Sequence, residues 1–176
     1  MNFGAVLKTL TEFFEEHGFL YAVVGGVALA AYGLPRTTVD LDFAVESRAQ
    51  DDLIRFLESR GYVTLHRSTG YSNHKHPDPD WDQLDFIYVK DETSRQLFAG
   101  CRLLPGPGGR QMPVPRPEHL VAMKVAAMKN DPGRTFQEMT DIRFLLQLPG
   151  VDRAMTASYF DRHGLRDRLD EIERTL

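Results

Sequence analysis

Two aspartates one residue apart, Asp40 and Asp42, lie in a run that alternates strictly. Val39, Leu41, Phe43 and Val45 face one way along an extended strand, and Asp40, Asp42 and Ala44 face the other. Carboxylates two residues apart on one strand face share a small volume. Like charges that close repel, and one resists ionising unless a cation is present. A magnesium or manganese ion resolves the conflict, because such ions take hard oxygen ligands from a few carboxylates and keep positions for substrate phosphates. Upstream, the apolar stretch Phe19–Val24 runs into Gly25-Gly26. Two glycines let the backbone turn sharply and leave free N–H groups beside a helix start, where phosphate binds readily. Alone, a Gly-Gly pair is commonly a turn and an Asp-x-Asp a solvated strand face. The joint order of strand, glycine turn, short helix, loop and acid-bearing strand is far less common.

Other residues could join this chemistry. Trp81–Val89 reads as a strand in which Leu84, Phe86 and Tyr88 alternate with Asp85, Ile87 and Val89. Asp85 is the polar residue of an apolar stretch, and a carboxylate buried bare is costly, so it needs a partner. Asp82 competes with it but precedes the apolar run and suits solvent. Arg36, just before the Asp strand, suits either a phosphate contact or a salt bridge to Asp40 or Asp42. Lys124 shares a helix face with Leu120, Met123 and Ala127, where a lysine ordinarily snorkels at the rim of a core. His66, His74 and His76 lack the ligand spacing of a closed zinc site; contact of Lys75 or these histidines with substrate is the better reading.

These residues need elements to position them. Phe3, Val6, Leu7, Leu10, Phe13 and Phe14 recur at helical spacing before Gly18, which predicts a first helix packed on a sheet. A second helix is predicted over Ala49–Arg60 and a strand over Tyr62–His66. The polar, proline-bounded stretch Arg67–Asp80 reads as a strand tip and loop over the site. A short helix over Thr93–Ala99 precedes two short strands, Arg102–Leu104 and Arg110–Val114, across a Pro-Gly turn. From Pro117 the pattern is helical: one helix to about Asn130, a second over Thr135–Leu148 with Phe136, Met139, Ile142, Phe144, Leu145 and Leu146 mostly inward, and two more over Asp152–His163 and Leu165–Thr175. The expected fold is α/β or α+β: a small mixed sheet flanked by helices in residues 1–115, and a helical part, 116–176, packed on that core.

The run Gly25-Gly26 … Gly33-Leu34-Pro35-Arg36-Thr37-Thr38-Val39-Asp40-Leu41-Asp42 resembles the signature of the nucleotidyltransferase fold, the DNA polymerase β superfamily. Within it the chain is most similar to the AbiEii-like nucleotidyltransferases, known mostly as toxins of bacterial type IV toxin–antitoxin systems. The resemblance implies transfer of a nucleoside monophosphate from an NTP to an acceptor, with Mg²⁺ or Mn²⁺ held by Asp40 and Asp42 and a third carboxylate, matched by Asp85, completing a second metal site that helps activate the acceptor. It implies nucleotide binding by Gly25, Gly26, Arg36, Lys124 and Asp141, since Pro117–Lys124 resembles a motif whose lysine meets NTP phosphate, and Asp141-Ile142 matches the last motif. It further implies tRNA or another RNA as acceptor, and an antitoxin protein as partner; a protein or small-molecule acceptor stays open. The chain departs from the pattern at Gly26, where the superfamily usually has serine, and at Gln137-Glu138, where the family usually has Lys-Asp. A competing reading therefore keeps the fold as a binding or regulatory module with weakened chemistry.

Composition narrows the classes. With 176 residues, 42% hydrophobic and 26% charged, the chain reads as an ordinary globular protein of one domain, or one with a helical appendage. Up to Pro115 there are 11 Lys and Arg against 15 Asp and Glu, and 10 of each thereafter, so neither part is a basic module that grips a nucleic-acid backbone non-specifically. Cys101 is the only cysteine, which excludes an intrachain disulfide and a cysteine zinc cluster and fits a reducing cytoplasm. The first eighteen residues, carrying Glu12, Glu15 and Glu16, read as an amphipathic helix instead of a signal peptide, and no apolar run is long enough to span a membrane.

Overall fold

A computed structural model describes residues 1–35 and 37–176. The chain folds as two compact units, Met1–Pro115 and Arg116–Leu176. In the first, α1 (Phe3–His17) is opened by Asn2, whose side chain accepts from the Ala5 N–H, and is closed by Gly18 at φ 63°. That left-handed turn lets Phe19 N–H donate back to Phe14 O at 2.9 Å. Helix α1 buries Val6, Leu7, Leu10, Phe13 and Phe14, as its spacing predicts. Strand β1 (Tyr21–Val23) follows, then α2 (Gly25–Ala31) and β2 (Asp40–Glu46). Strand β1 is shorter than the apolar run because the helix closure takes up Phe19.

A 3₁₀ turn at Ser47–Ala49 leads into α3 (Gln50–Ser59), which buries Leu53, Ile54 and Leu57. Strands β3 (Val63–Arg67), β4 (Tyr71–Lys75) and β5 (Gln83–Val89) complete a sheet of order β1-β2-β5-β4-β3. The β2–β5 pairing is parallel; the other pairings in this sheet are antiparallel. Beyond α4 (Asp91–Ala99), strands β6 (Arg102–Pro105) and β7 (Gln111–Val114) form the expected hairpin. One sheet face is closed by α1 and α3, with Leu10, Phe56, Leu57 and Leu84 bordering one small cavity and with Phe14 and Phe43 rings 5.8 Å apart. Leu41, Phe43, Val45, Leu84 and Phe86 are all inaccessible on that face.

Within Arg67–Asp80, read as a strand tip and loop, Tyr71–Lys75 form a full strand, β4, paired along its length with β5. Hydrophobic pattern could not reveal it, because its buried side chains are polar. Ser72 and His74 are fully buried. His74 shares hydrogens with Thr64 Oγ1 (3.1 Å) and Ser72 Oγ (2.8 Å), and Ser72 Oγ meets the Tyr88 hydroxyl at 2.7 Å. A connected chain of this kind satisfies each buried group, which is the condition for tolerating them. Two smaller expectations also fail. Val39, placed on the strand face of Leu41 and Phe43, lies before β2 and is 69% exposed, and Phe136, assigned inward, is 86% exposed.

The second unit comprises α5 (Pro117–Asn130), α6 (Thr135–Gln147), α7 (Arg153–His163) and α8 (Arg166–Glu173). Helix α5 packs against α6 and α7. Asp152 caps α7 through the Met155 N–H, and Glu118 Oε1 accepts from the Asp152 N–H at 2.8 Å. Among the described residues no helix is long and apolar enough to cross a membrane.

Burial pushes the His74 imidazole down from 6.5 to about 4, so the folded state holds it neutral. Between those values the unfolded chain binds a proton that the native chain does not, so stability from this group is complete above pH 6.5 and is lost as pH falls towards 4. His74→Gln should lower stability at pH 7 by about 1–2 kcal/mol through imperfect replacement of two buried hydrogen bonds. The deficit should shrink as pH falls to 4, which urea denaturation of both proteins at pH 7, 5.5 and 4 measures. A deficit independent of pH would show that His74 is not held neutral.

Candidate active site

The parallel pairing sets Asp42 directly beside Asp85, and Asp40 beside Gln83, on the sheet face away from α1 and α3. Asp40, Asp42 and Asp85 each offer an oxygen within 4.8 Å of the others, and all three are partly exposed. Among the described residues this is the group of acidic or metal-ligating side chains placed to share a metal ion. Hard oxygens from three carboxylates, with solvent access for substrate oxygens, suit Mg²⁺ or Mn²⁺ better than zinc, which prefers nitrogen and sulfur.

Gly25 is fixed by contact as well as by conformation. Its φ is 62°, and a Cβ there would stand 1.8 Å from Asp42 Oδ2. The Val24 N–H donates to Asp42 O at 2.9 Å, so the turn rides along β2 with no side chain between backbone and carboxylate. Gly26 has a different reason. A Cβ there would lie 2.8 Å from Thr38 Cβ, so the departure from serine is matched by a threonine occupying the space. Thr38 Oγ1 donates to Asp40 Oδ1 at 2.5 Å. Sequence reasoning missed Thr38; its place two residues before Asp40 was the available signal.

Asp85 is held from β4. Its Oδ1 accepts from the Tyr71 hydroxyl at 2.9 Å and from Asn73 Nδ2, and Gln83 Nε2 approaches Oδ2 at 3.4 Å. Burial, then the Asp85 charge, pushes the Tyr71 hydroxyl well above its ordinary value, so it stays a donor. Tyr71 and Asn73 were also missed, although they alternate with Ser72 and His74 at the period of a strand. Asp82, the competitor, lies outside the cluster and pairs with Lys75. His76 is committed to Arg60 O and the Asp78 N–H, and His74 to the hydroxyls beneath the sheet. Arg36 lies outside the described residues.

In the helical unit Lys124 is not at a core rim. Its Nζ lies 2.8 Å from Glu138 Oε2 and 2.6 Å from Asp141 Oδ2, with both carboxylates almost wholly buried. Arg134 meets the other Glu138 oxygen at 2.7 Å. Glu138 thus belongs to an ion cluster with Lys124 and Asp141.

Gly25→Ala should displace Asp42 while leaving the sheet intact. Mn²⁺ affinity in the presence of nucleotide should fall at least ~10-fold, the scale for disturbing a metal ligand's support. Electron paramagnetic resonance titration measures it, with circular dichroism to verify the fold. Unchanged affinity would remove Asp42 from the metal site.

No protein-family model matches the chain, and no curated protein matches it in sequence. Its likeness is to solved structures. ANT(2'')-Ia in complex with adenylyl-2''-tobramycin superposes with a TM-score of 0.69 at 15% identity, covering 90% of this chain and 97% of that one. The lincosamide antibiotic adenylyltransferase LnuA, lincomycin-bound, does so with a TM-score of 0.54 at 18% identity over 81% and 96% of the two chains. An antigenic nucleotidyltransferase-like protein from Paracoccidioides brasiliensis gives 0.56 at 17% identity over 96% and 90%. Three carboxylates gathered by β2 and β5 beside a glycine turn, in a mixed sheet flanked by helices, are therefore set in the nucleotidyltransferase fold.

Proposed function

We propose that this chain is a metal-dependent nucleotidyltransferase that moves a nucleoside monophosphate from an NTP to a hydroxyl of a small acceptor. The observation that carries the reading is the convergence of Asp40, Asp42 and Asp85 next to a backbone turn that bears no side chains. In the reaction an acceptor oxygen attacks the α-phosphorus, the bond to the bridging oxygen breaks, and pyrophosphate leaves. Bound divalent metal neutralises phosphate charge and lowers the barrier to forming the attacking oxyanion. Asp40 and Asp42 would hold the divalent metal, which would supply charge neutralisation at the triphosphate. Gly25 and Gly26 admit the triphosphate to the backbone. Asp85 would complete a second metal site on the acceptor side and would draw the hydroxyl proton. Lys124 and Asp141 are further nucleotide-binding residues of this reading, Lys124 acting while it also neutralises Glu138 and Asp141.

Two things favour a small acceptor: an acidic Met1–Pro115 unit that would repel a polyanion, and the likeness in fold to structures bound to an adenylylated tobramycin and to lincomycin. The alternative acceptor is RNA, as the AbiEii-like resemblance of Pro117–Lys124 and Asp141-Ile142 implies, with an antitoxin as partner. A binding or regulatory module without transfer is the alternative from another class.

The test is label transfer from each α-phosphate-labelled NTP, with Mg²⁺, to hydroxyl-rich small molecules including aminoglycosides and lincosamides, and separately to total RNA and protein. Label on a small molecule supports the proposal; label on RNA or protein alone moves the acceptor class; nucleotide binding without transfer leaves the module. Asp85→Asn should cut transfer ~100-fold or more while Mg-NTP binding holds, the scale of a lost transition-state interaction. Asp42→Asn should damage both, and equal damage in the two variants would refute this division.

Lys124→Ala removes one partner from a buried ion cluster. It should cost about 3–5 kcal/mol of stability and weaken NTP binding. Denaturant melts beside nucleotide titration read the two effects, and a variant of full stability would place Lys124 outside the ion cluster.

A further inference from the structure

Asp85 is unequally occupied. Oδ1 accepts from both the Tyr71 hydroxyl and Asn73 Nδ2, whereas Oδ2 has Gln83 Nε2 at 3.4 Å, a long contact. A carboxylate oxygen has two lone-pair sites, so Oδ1 is filled and Oδ2 keeps its capacity for a metal or an acceptor hydroxyl. We propose that Tyr71 and Asn73 are positioning residues that fix Asp85 through Oδ1, so that Oδ2 is its working atom. The proposal rests on the nucleotidyltransferase reading above.

The fold explains why these two residues can do this. Asn73 stands opposite Asp85 in the β4–β5 register, and Tyr71 is one step along the same strand face, opposite Ile87. That register is pinned from below. Ser72 and His74 point to the buried face and bond to Tyr88 and Thr64 there. A one-residue slip of β4 would put two polar side chains on the open face and bury Tyr71 and Asn73 among Leu84 and Phe86. The buried polar chain and the Asp85 donors are thus alternate residues of one strand. Tyr71 is braced further by the His66 ring, 5.8 Å away across the β3–β4 pairing, and its N–H is held by Ser68 Oγ at 3.1 Å. Lys75, next along the same strand face, pairs with Asp82, and the described donors to Asp85 are neutral groups that leave its charge for the metal site.

Tyr71→Phe removes one hydrogen bond and keeps the ring. Asn73→Asp keeps the outline of the side chain, removes the donor and adds a negative charge against Asp85 Oδ1. Tyr71→Phe should lower kcat ~10-fold and Asn73→Asp ~100-fold, the range for groups that orient a metal ligand, with KM for NTP within about threefold. Independently of activity, Mn²⁺ titration of each variant with a non-hydrolysable NTP analogue, read by electron paramagnetic resonance, should show the Asp85-dependent Mn²⁺ weakened ~10-fold in Tyr71→Phe. That Mn²⁺ is identified as the one lost in Asp85→Asn. Tyr71→Phe should stay folded, its melting temperature falling by no more than about 10 °C, the scale of one lost hydrogen bond to a charged group. Wild-type kcat and wild-type Mn²⁺ affinity in Tyr71→Phe would overturn the proposal, as would a loss of NTP affinity in parallel with kcat. If the parent chain transfers nothing to any acceptor, the functional reading fails, while the Mn²⁺ titration still decides whether Tyr71 and Asn73 orient Asp85.

Discussion

Placing Asp42 beside Asp85 across a parallel strand pair is the constraint on which the rest of the structure depends. Two unit charges at about 5 Å repel by roughly 3 kcal/mol at an effective dielectric of 20, and the cluster contains three such pairs. A hydrogen bond to a charged group returns about 1.5–3 kcal/mol. The donors on Asp40 and Asp85, namely Thr38, Tyr71 and Asn73, are therefore the right size to hold the carboxylates in place. Three carboxylates alone would repel a bare triphosphate, and a divalent cation between them and the phosphates would remove that repulsion.

The neighbouring backbone obeys the same constraint. Gly25 has to be glycine twice over, once for its left-handed conformation and once because Asp42 Oδ2 occupies the space of a side chain. Gly26 and Thr38 form a reciprocal pair in which one residue's missing atoms make room for the other's hydroxyl. A substitution that looks like a loss in a motif is, in the folded chain, a redistribution of one polar group from the turn to the loop before β2.

In the helical unit, charge balance takes a different form. Lys124, Glu138 and Asp141 are drawn from two helices into an environment with little water. Burying such a group alone is costly, and burying the three together is tolerable because each has a partner. The position read from the sequence as a departure, Gln137-Glu138, supplies one of those partners through Glu138.

By itself, the sequence determined a good deal. The helical spacing of Phe3 to Phe14, the alternation of Leu41, Phe43 and Val45, the isolated Asp85 among apolar neighbours and the order of elements around Gly25-Gly26, together with the resemblance of that run to the nucleotidyltransferase signature, were sufficient for the fold class and for naming the three carboxylates. Those features are local, and hydrophobic period reports them directly. What only the tertiary structure decided was non-local. Strand β4 is invisible to a hydrophobic pattern because Ser72 and His74 are buried by hydrogen bonding, so Tyr71 and Asn73 could not be attached to Asp85 beforehand. The contact between Gly25 and Asp42, the Thr38 hydroxyl on Asp40 and the enclosure of Lys124 by two carboxylates each join residues whose distance apart is set by strand register or helix packing. A linear chain carries the types of these groups, but only folding sets the few ångströms between them.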